Sequence, residues 1–356
     1  MSVEIRPITL PERLGTPEAV EFERYAAFAI DIEVERWGDD RFAYTPAEML
    51  SMYRDDDYEI KRAFAAWHGE VCVGRTISWG ERDAGAESGI VIVEVAPDFR
   101  RQGIGSRLLE HAEGVITALG RHRNTGWIDF PLAALDFPGP RLHAPDGEAS
   151  LPAELPSVRF ALHHGYVLGQ LERASVLETS GRTEEFRTES ARLEARASDY
   201  RITGWIDHVP DALVDSYAAA RARMAIDVPA GGLDIDEEVW DAGRVRAHES
   251  HATRGGRTLL VSAAVASDGS IAGYTELELP PGKPLAYQSD TLVVAAHRGH
   301  GLGMRVKLAN LVRLAEFAPE RTAVYTWNAD ENEHMLAINI ALGFEIHGFG
   351  AEFQRG

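Results

Sequence analysis

The strongest constraint on this chain is a pattern that occurs twice, with Arg100 and Arg298 at equivalent positions 198 residues apart. Each copy has an apolar run, then two glycines, then a segment with a helical apolar stripe. The glycine segments are Arg100-Arg-Gln-Gly-Ile-Gly105 and Arg298-Gly-His-Gly-Leu-Gly303. In a chain with 33 glycines one such segment is weak evidence. Two in the same context indicate an internal repeat and two domains.

Both copies predict the order strand, glycine loop, helix. In the second copy, the run from Asp290 to Ala296 is typical of a buried strand, and Leu308, Leu311 and Val312 lie on one helical stripe. The loop therefore lies at a helix N-terminus, where unpaired amides and the helix dipole favour an anion. The glycines lack the Cβ atoms that would keep a phosphate from those amides, and the loop arginine adds a charge-assisted hydrogen bond.

The motif Arg-x-x-Gly-x-Gly after a strand, followed by a helix, a strand and a second helix ending at Gly165-Tyr166 or Gly343-Phe344, resembles the acyl-CoA site of the GNAT superfamily of N-acetyltransferases. The resemblance covers both halves. It implies an α/β (α+β) chain of two tandem GNAT (acyl-CoA N-acyltransferase) domains, an arrangement similar to that of mycothiol synthase. Each domain would be a mixed, mostly antiparallel sheet flanked by helices.

We predict an N-terminal GNAT-like domain at residues 1–180, a charged linker at 181–198 and a C-terminal GNAT domain at 199–356. Each domain would end in its own closing strands. In the second domain, helices are expected near 211–225 and 236–251. The first half has about twenty extra residues between 130 and 155, rich in Pro and Gly. They form either a lid, an interdomain strap or an exposed insertion.

Composition excludes several classes of protein. The net charge is −20 and both halves are acidic, which argues against nucleic acid and is compatible with a cationic amine substrate. No run of eighteen apolar residues and no signal-peptide pattern occur, so we expect no membrane span and a cytoplasmic location. No metal site is expected, and the protein would be a monomer or a homodimer.

The resemblance implies acetyl-CoA, or another acyl-CoA, as cofactor. Its pantetheine arm would bond to strand groups, and its diphosphate to the glycine turn. The implied cofactor-binding residues are Leu292, Val293, Val294, Arg298, Gly299, His300, Gly301, Leu302, Gly303 and Asn332 in the second domain, and Val95, Arg100, Arg101, Gln102, Gly103, Ile104 and Gly105 in the first.

The implied reaction is direct attack of a primary amine of a small molecule on the thioester. Because an alkylamine has a pKa of about 10, a base must remove a proton. Asp290 is the first candidate in the second domain and Glu94 in the first. The tyrosine that in the family protonates the departing thiolate is replaced by Asn339 and, in the first domain, by Ala161. The proton would then come from Tyr325, another tyrosine or water, or that domain is not catalytic.

Two questions remain open in the sequence: which domain is catalytic, and whether the chain is an enzyme. The second domain is the preferred catalytic domain, because Asn332 matches a family asparagine whereas the first domain has Glu154 there. The first would be structural, bind CoA without turnover, or shape the acceptor pocket. Because the tyrosine is missing in both, the alternative is a non-catalytic acyl-CoA-binding or scaffold protein with degenerate GNAT domains.

Overall fold

The computed structural model describes residues 3–54, 57–83, 85–194 and 199–356. Its strands are β1 (Glu4–Pro7), β2 (Glu59–His68), β3 (Val71–Glu81), β4 (Ser88–Val95), β5 (Arg123–Pro131), β6 (Arg141–His143), β7 (Ser150–Pro152), β8 (Val167–Glu178), β9 (Arg201–Ile206), β10 (Thr258–Val265), β11 (Ile271–Leu279), β12 (Leu285–Val293), β13 (Ala323–Ala329) and β14 (Glu345–Arg355). Its α-helices are α1 (Val20–Trp37), α2 (Pro46–Met52), α3 (Ile104–Ala118), α4 (Pro156–His163), α5 (Thr183–Glu194), α6 (Val214–Ala222), α7 (Met224–Asp227), α8 (Ala242–Arg254), α9 (Leu302–Phe317) and α10 (Glu333–Leu342). No helix in these ranges is both long and apolar enough to cross a bilayer.

Twelve strands form one sheet in the order β1-β2-β3-β4-β5-β14-β8-β13-β12-β11-β10-β9. The pairs β4/β5 and β12/β13 are parallel and the others are antiparallel. The predicted mixed, mostly antiparallel architecture flanked by helices is confirmed. The two small strands β6 and β7 form a separate hairpin.

The two halves exchange their closing strands. Strand β8, which ends the first half, pairs with β13 of the second half, and β14 pairs with β5 of the first. The strands β8 and β14 pair with each other at the centre. The prediction that each half closes its own sheet is therefore wrong, because the main-chain groups of each closing strand bond to the other half.

Each parallel pair separates after a short ladder. The register of β4/β5 covers only Ser88↔Arg123 to Ile90↔Thr125, and that of β12/β13 runs from Leu285↔Ala323 to Gln288↔Thr326. Beyond these points the facing edges of β4 and β12 have no partner strand among the residues that the structure describes. A gap between two parallel strands therefore opens at the carboxyl end of each pair, beside a glycine turn.

Helices cover both faces of the sheet. In the first half, α1 and α2 pack on one face through residues such as Phe22 and Met49, and α3 and α4 pack on the other through Leu109 and Val158. In the second half, α6 and α8 correspond to α1 and α2 and pack on one face. The helices α5, α9 and α10 pack on the other face. The predicted linker segment thus contains a helix, α5, whose Phe186 is buried in the second core.

The extra segment of the first half fastens to the second half. The carboxylate of Asp330, at the end of β13, accepts hydrogen bonds from the amides of Glu148 and Ala149 at 2.6 Å each and from Arg173 Nε at 2.5 Å. Of the three alternatives for this segment, these contacts support the strap.

The predicted helix at 236–251 begins later, at Ala242. Asp241 caps it by accepting from the amide of Arg244 at 2.7 Å. Asp236 instead lies in an extended segment that crosses to the first half, where its carboxylate accepts from the amide of Ser88 at 2.9 Å. This long-range contact outweighs the local helical pattern.

Removing the Asp330 carboxylate should destabilise the strap and its anchoring strand. Its side chain is 1% exposed, and Asp330→Ala leaves two amides and Arg173 without their acceptor. We expect the free energy of unfolding in urea to fall by about 2–4 kcal/mol. Asp146→Ala, an exposed carboxylate in the same strap, is the control. Equal unfolding midpoints for the two variants would contradict the strap.

Candidate functional site

Both glycine turns have the geometry expected of an anion site. Gly103 and Gly301 precede α3 and α9 with φ of 78° and 68°, in the left-handed region that favours glycine. A Cβ built on either would meet no atom within 4 Å, so the surface above each turn is open. Arg107 and Arg305 donate their amides to the carbonyls of Gly103 and Gly301. The amides of the preceding turn therefore have no helical acceptor.

The two loop arginines brace the turns by hydrogen bonds to protein oxygens. Arg100 donates through Nε to the carbonyl of Val95 at 2.9 Å and pairs with both carboxylate oxygens of Glu35. Arg298 donates through Nε to the carbonyl of Val293 at 3.2 Å and to the carbonyl of Asp227 at 3.0 Å. Phosphate binding by these arginines stays a prediction, and in this structure protein oxygens accept their hydrogen bonds.

The remaining loop residues have divided roles. Ile104 and Leu302 are buried and anchor the first turn of each helix, so only their amides face outward. Arg101, at the position of Gly299, is exposed with φ of 63°. Gln102 donates to the carbonyl of Asp98, and His300 packs against Tyr200. Both Arg100 and Arg101 line an open cavity.

That cavity, of about 1200 Å³, opens in the first half between β4 and β5. It begins at the glycine turn, passes between the separated strands and α4, and ends against α1. Residues that mark this path are Gly103, Ser106, Leu109, Ala161, Asp129 and Arg36.

The equivalent space of the second half is crossed by polar side chains. Lys307 follows Leu109 by the repeat distance of 198 residues, and Asn339 occupies the position of Ala161 before the corner glycine. Lys307 Nζ donates to Asn339 Oδ1 at 2.9 Å, and Asn339 Nδ2 donates to Asn328 Oδ1 at 2.6 Å. Burial lowers the pKa of Lys307 to about 7. This chain of bonds joins α9, α10 and β13, and Asn339 is engaged in it.

Asn332, predicted to contact the CoA arm, caps α10. Its Oδ1 accepts from the amide of Met335 at 3.2 Å, which is the ordinary role of asparagine at a helix start. In the same half, Leu292 is buried against α6 and α8, and Val293 and Val294 are partly buried. The side chains of these strand residues serve packing.

Glu94 is held as an anion by two arginines. Its carboxylate lies 2.5 Å from Arg75 Nε and 2.9 Å from Arg36 NH2. Burial alone would raise the pKa of Glu94, but the two guanidinium groups outweigh it and hold the pKa below its ordinary value. The proposed role of Glu94 as a base is therefore not supported, because a carboxylate in two ion pairs is a poor proton acceptor.

Asp290 lies in a charged cluster beneath α6 and α8. It accepts from Tyr274 OH at 2.9 Å and pairs with Arg221 at 3.1 Å. Burial raises the pKa of Asp290, and the attraction of Arg221 offsets part of this effect. Gln288 donates to the backbone carbonyls of Glu276 and Asp290 and to Thr275 Oγ1. Both side chains thus have partners within the protein.

Tyr325 faces the junction between the halves and not the second glycine turn. Its hydroxyl accepts from Arg41, in the loop after α1, at 2.9 Å. Its ring lies in an aromatic cluster with Phe42 and His347. A tyrosine placed between domains is not positioned to protonate a thiolate in the cleft of its own half, so the structure does not support its predicted role as an acid.

Sequence reasoning missed a group of carboxylates where the exchanged strands meet. Asp129 on β5, Glu172 on β8 and Glu352 on β14 are half-buried on one face of the central sheet. Partial burial raises the pKa of Glu172 to about 8, with further contributions from Glu352, Asp129 and Glu331. Burial also raises the pKa of Asp129 and of Glu352. Asp129 lines the cavity, so this group adjoins its inner end.

The comparisons with known proteins agree with this geometry. Residues 28–128 match the model of the Acetyltransferase (GNAT) family. The whole chain superposes on a tandem GNAT protein from the clavulanic acid biosynthesis pathway, solved without AcCoA, with a TM-score of 0.72, 24% identity and coverage of 99% of this chain and 98% of that one. No curated protein sequence gives a significant match.

Two further structures have the same fold. A GCN5-related N-acetyltransferase from Sphaerobacter thermophilus gives a TM-score of 0.55 at 14% identity, covering 98% of this chain and 96% of that one. A glucosamine N-acetyltransferase region of a fungal multi-domain β-N-acetylglucosaminidase gives 0.61 at 12% identity, covering 99% and 38%. Residues 28–128 are thus similar to the GNAT acetyltransferase family. The whole chain has the fold of a tandem GNAT protein.

The raised pKa of Glu172 predicts a pH-dependent stability. Between pH 4.5 and about 8 the folded state keeps a proton that the unfolded chain loses, so stability falls as pH rises through this window. Glu172→Gln removes the titration. We compare the free energy of unfolding of this variant with that of the parent, and we expect the difference in favour of the variant to be at least about 1 kcal/mol larger at pH 9 than at pH 5. Thermal unfolding at the two pH values measures it. Glu178→Gln, exposed on the same strand, should show no such difference. A parallel pH dependence for all three proteins would contradict the assignment.

Proposed function

We propose that the protein is an acyl-CoA-dependent N-acetyltransferase and that its first half holds the acyl-CoA. The acceptor is the primary amine of a small molecule. The observation that carries this proposal is the cavity that leads from the first glycine turn, through the gap between β4 and β5, to a charged end against α1. Its volume of about 1200 Å³ suits a long nucleotide-bearing thioester.

The choice of the first half reverses the preference drawn from the sequence. The second half has an equally well-formed glycine turn, but Lys307, Asn339 and Asn328 bond to one another across the place that Leu109 and Ala161 leave open in the first. Displacing this chain would leave buried polar groups without their hydrogen bonds, which is costly. The family match at residues 28–128 also lies in the first half.

The residues of the first half fit such a thioester in three places. The open turn at Gly103, with the N-terminal dipole of α3, suits a diphosphate, and Arg101 lies beside it. The unpartnered edge of β4 from Val91 to Val95 offers amides and carbonyls to the amide groups of a pantetheine arm, as in strand addition. A strand amide at the same edge suits the oxyanion that forms when an amine attacks a thioester.

The bound acyl-CoA would supply the activated acyl group. The protein's own contribution is then to hold the acceptor and remove a proton from it. The fixed pairs of Glu94 with Arg36 and Arg75 make the cleft wall charged and rigid, since these ion pairs are largely shielded from solvent.

Titration of CoA into the protein should give one site per chain. Ser106 follows the last glycine of the first turn and lines the cavity. We expect Ser106→Glu to abolish CoA binding, because it places a negative charge where the diphosphate would lie, while an acidic residue in the first turn leaves the helix stable. Isothermal titration calorimetry measures both the number of sites per chain and the affinity for CoA.

Met304→Glu is the matched control, since Met304 follows the last glycine of the second turn. It should leave the stoichiometry at one and the affinity within about twofold. A stoichiometry of two, or loss of binding only in Met304→Glu, would overturn the choice of half. Failure of CoA and acetyl-CoA to bind the parent chain would overturn the proposed function itself.

A further inference from the structure

Three side chains from different parts of the chain converge above Gly350. A Cβ built on this glycine would lie 3.3 Å from Asp129 Oδ1, 3.5 Å from Glu172 Oε2 and 3.5 Å from Trp327 Cδ1. Two carboxylates and an indole ring therefore lie close around the position that a side chain at residue 350 would occupy. Trp327 Nε1 donates to Asp129 Oδ1 at 3.1 Å, which fixes the position of that carboxylate.

The group is assembled by the strand exchange. Asp129 and Glu172 belong to the first half of the sequence, whereas Gly350, Glu352 and Trp327 belong to the second. Gly350 pairs with Asp129 on one side and with Glu172 on the other. Neither half alone brings these residues together.

Among the described residues, the charge of Arg36 acts on Asp129, whereas no cation shifts the pKa of Glu172 or Glu352. Within the described ranges, no ion pair involves Asp129, Glu172 or Glu352. Glu331, whose charge acts on both Glu172 and Glu352, accepts from Gln170 through Oε1, while its Oε2 is buried without a hydrogen-bond partner. The cations nearest this group are committed elsewhere, Arg36 to Glu94 and Arg173 to Asp330.

Such a group is unfavourable unless a cation joins it, because adjacent unpaired carboxylates repel one another and lose hydration. No three potential metal ligands in the described part of the chain converge as a metal ion requires. The indole ring of Trp327 at one wall suits an organic cation. Asp129 lines the cavity, so the group lies next to the cleft in which the acyl group would lie.

We infer that Asp129, Glu172 and Glu352 bind the acceptor as a dicationic amine and that Glu172 takes the proton from its reacting ammonium group. This inference rests on the proposed function and specifies its acceptor. The ammonium transfers one proton to the Glu172 carboxylate, the freed nitrogen forms the amide bond as the carbon–sulfur bond breaks, and the second nitrogen-bound proton passes to the departing sulfur. Glu172 then returns its proton to water.

The charge count favours two positive groups over one. A single ammonium neutralises one carboxylate and leaves the others facing each other across Gly350, whereas a second cationic group balances Glu352 as well. The groups that face Glu172 from the packed elements are Glu352, Asp129 and Glu331. All of these groups are negative when ionised, so they would attract a cationic acceptor but not a neutral one.

Kinetics with matched probes test the inference. Thiol release from acetyl-CoA is measured with 1,4-diaminobutane and with 1-aminobutane, which differ only in the second amino group. We expect the parent chain to prefer the diamine by at least about tenfold in kcat/KM. Glu352→Gln should remove most of this preference by raising the KM of the diamine, while CoA affinity is unchanged.

Glu172→Gln should lower kcat about 100-fold, as loss of a general base does. For the parent chain, kcat/KM should rise with pH with a midpoint near pH 8, and in Glu172→Gln this rise should move toward the pKa of the amine. Glu178→Gln and Glu345→Gln, exposed residues on the same two strands, are the matched controls and should behave as the parent.

Equal kcat/KM for the two probes, or an unchanged pH profile in Glu172→Gln, would overturn the inference. Binding of CoA at one site without turnover of either probe would also overturn it and leave the acyl-CoA assignment standing. If CoA does not bind, the proposed function fails first, so the two failures are distinguishable.

Discussion

The antiparallel pairing of β8 with β14 is the interaction on which the rest of this structure depends. It joins the last strand of each half and inserts both between β5 and β13. The strands of one half therefore satisfy main-chain groups of the other, and the two sheets become one. Unlike two domains joined by a linker, these halves share main-chain hydrogen bonds, whose loss would leave buried polar groups unpaired. The strap and the crossing segment at Asp236 add side-chain contacts to the same junction.

The repeat has diverged in its interior while its backbone has stayed alike. Both turns have a left-handed glycine before the helix, and both arginines bond to the carbonyl of the preceding strand. The difference is in what fills the gap behind each turn. Small or apolar side chains at Leu109 and Ala161 leave the first gap open, and Lys307 and Asn339 bridge the second. A duplicated fold of this kind can keep one binding cleft and use the other copy as support.

The shared sheet also explains why unpaired carboxylates lie at the centre of the molecule. A buried group of like charges costs stability, and such a cost is usually found where it serves binding or catalysis. Here the carboxylates come from three strands of two halves and meet beside the cleft of one. The second half thus contributes to the first without holding a second reaction centre, under the function proposed here.

The sequence by itself determined the doubled strand, glycine turn and helix, because these depend on residues within a few positions of one another, and the resemblance carried by that motif implied the mixed sheet and the tandem GNAT arrangement. The turns at Gly103 and Gly301 could be predicted from the sequence, since the local backbone alone decides where a left-handed residue is needed. Only the tertiary structure decided the strand exchange, the filling of the second gap by Lys307 and the meeting of Glu172 with Glu352. Those outcomes depend on pairings between residues far apart in the chain, and neither hydrophobic periodicity nor motif spacing records which distant strand or side chain will be the partner.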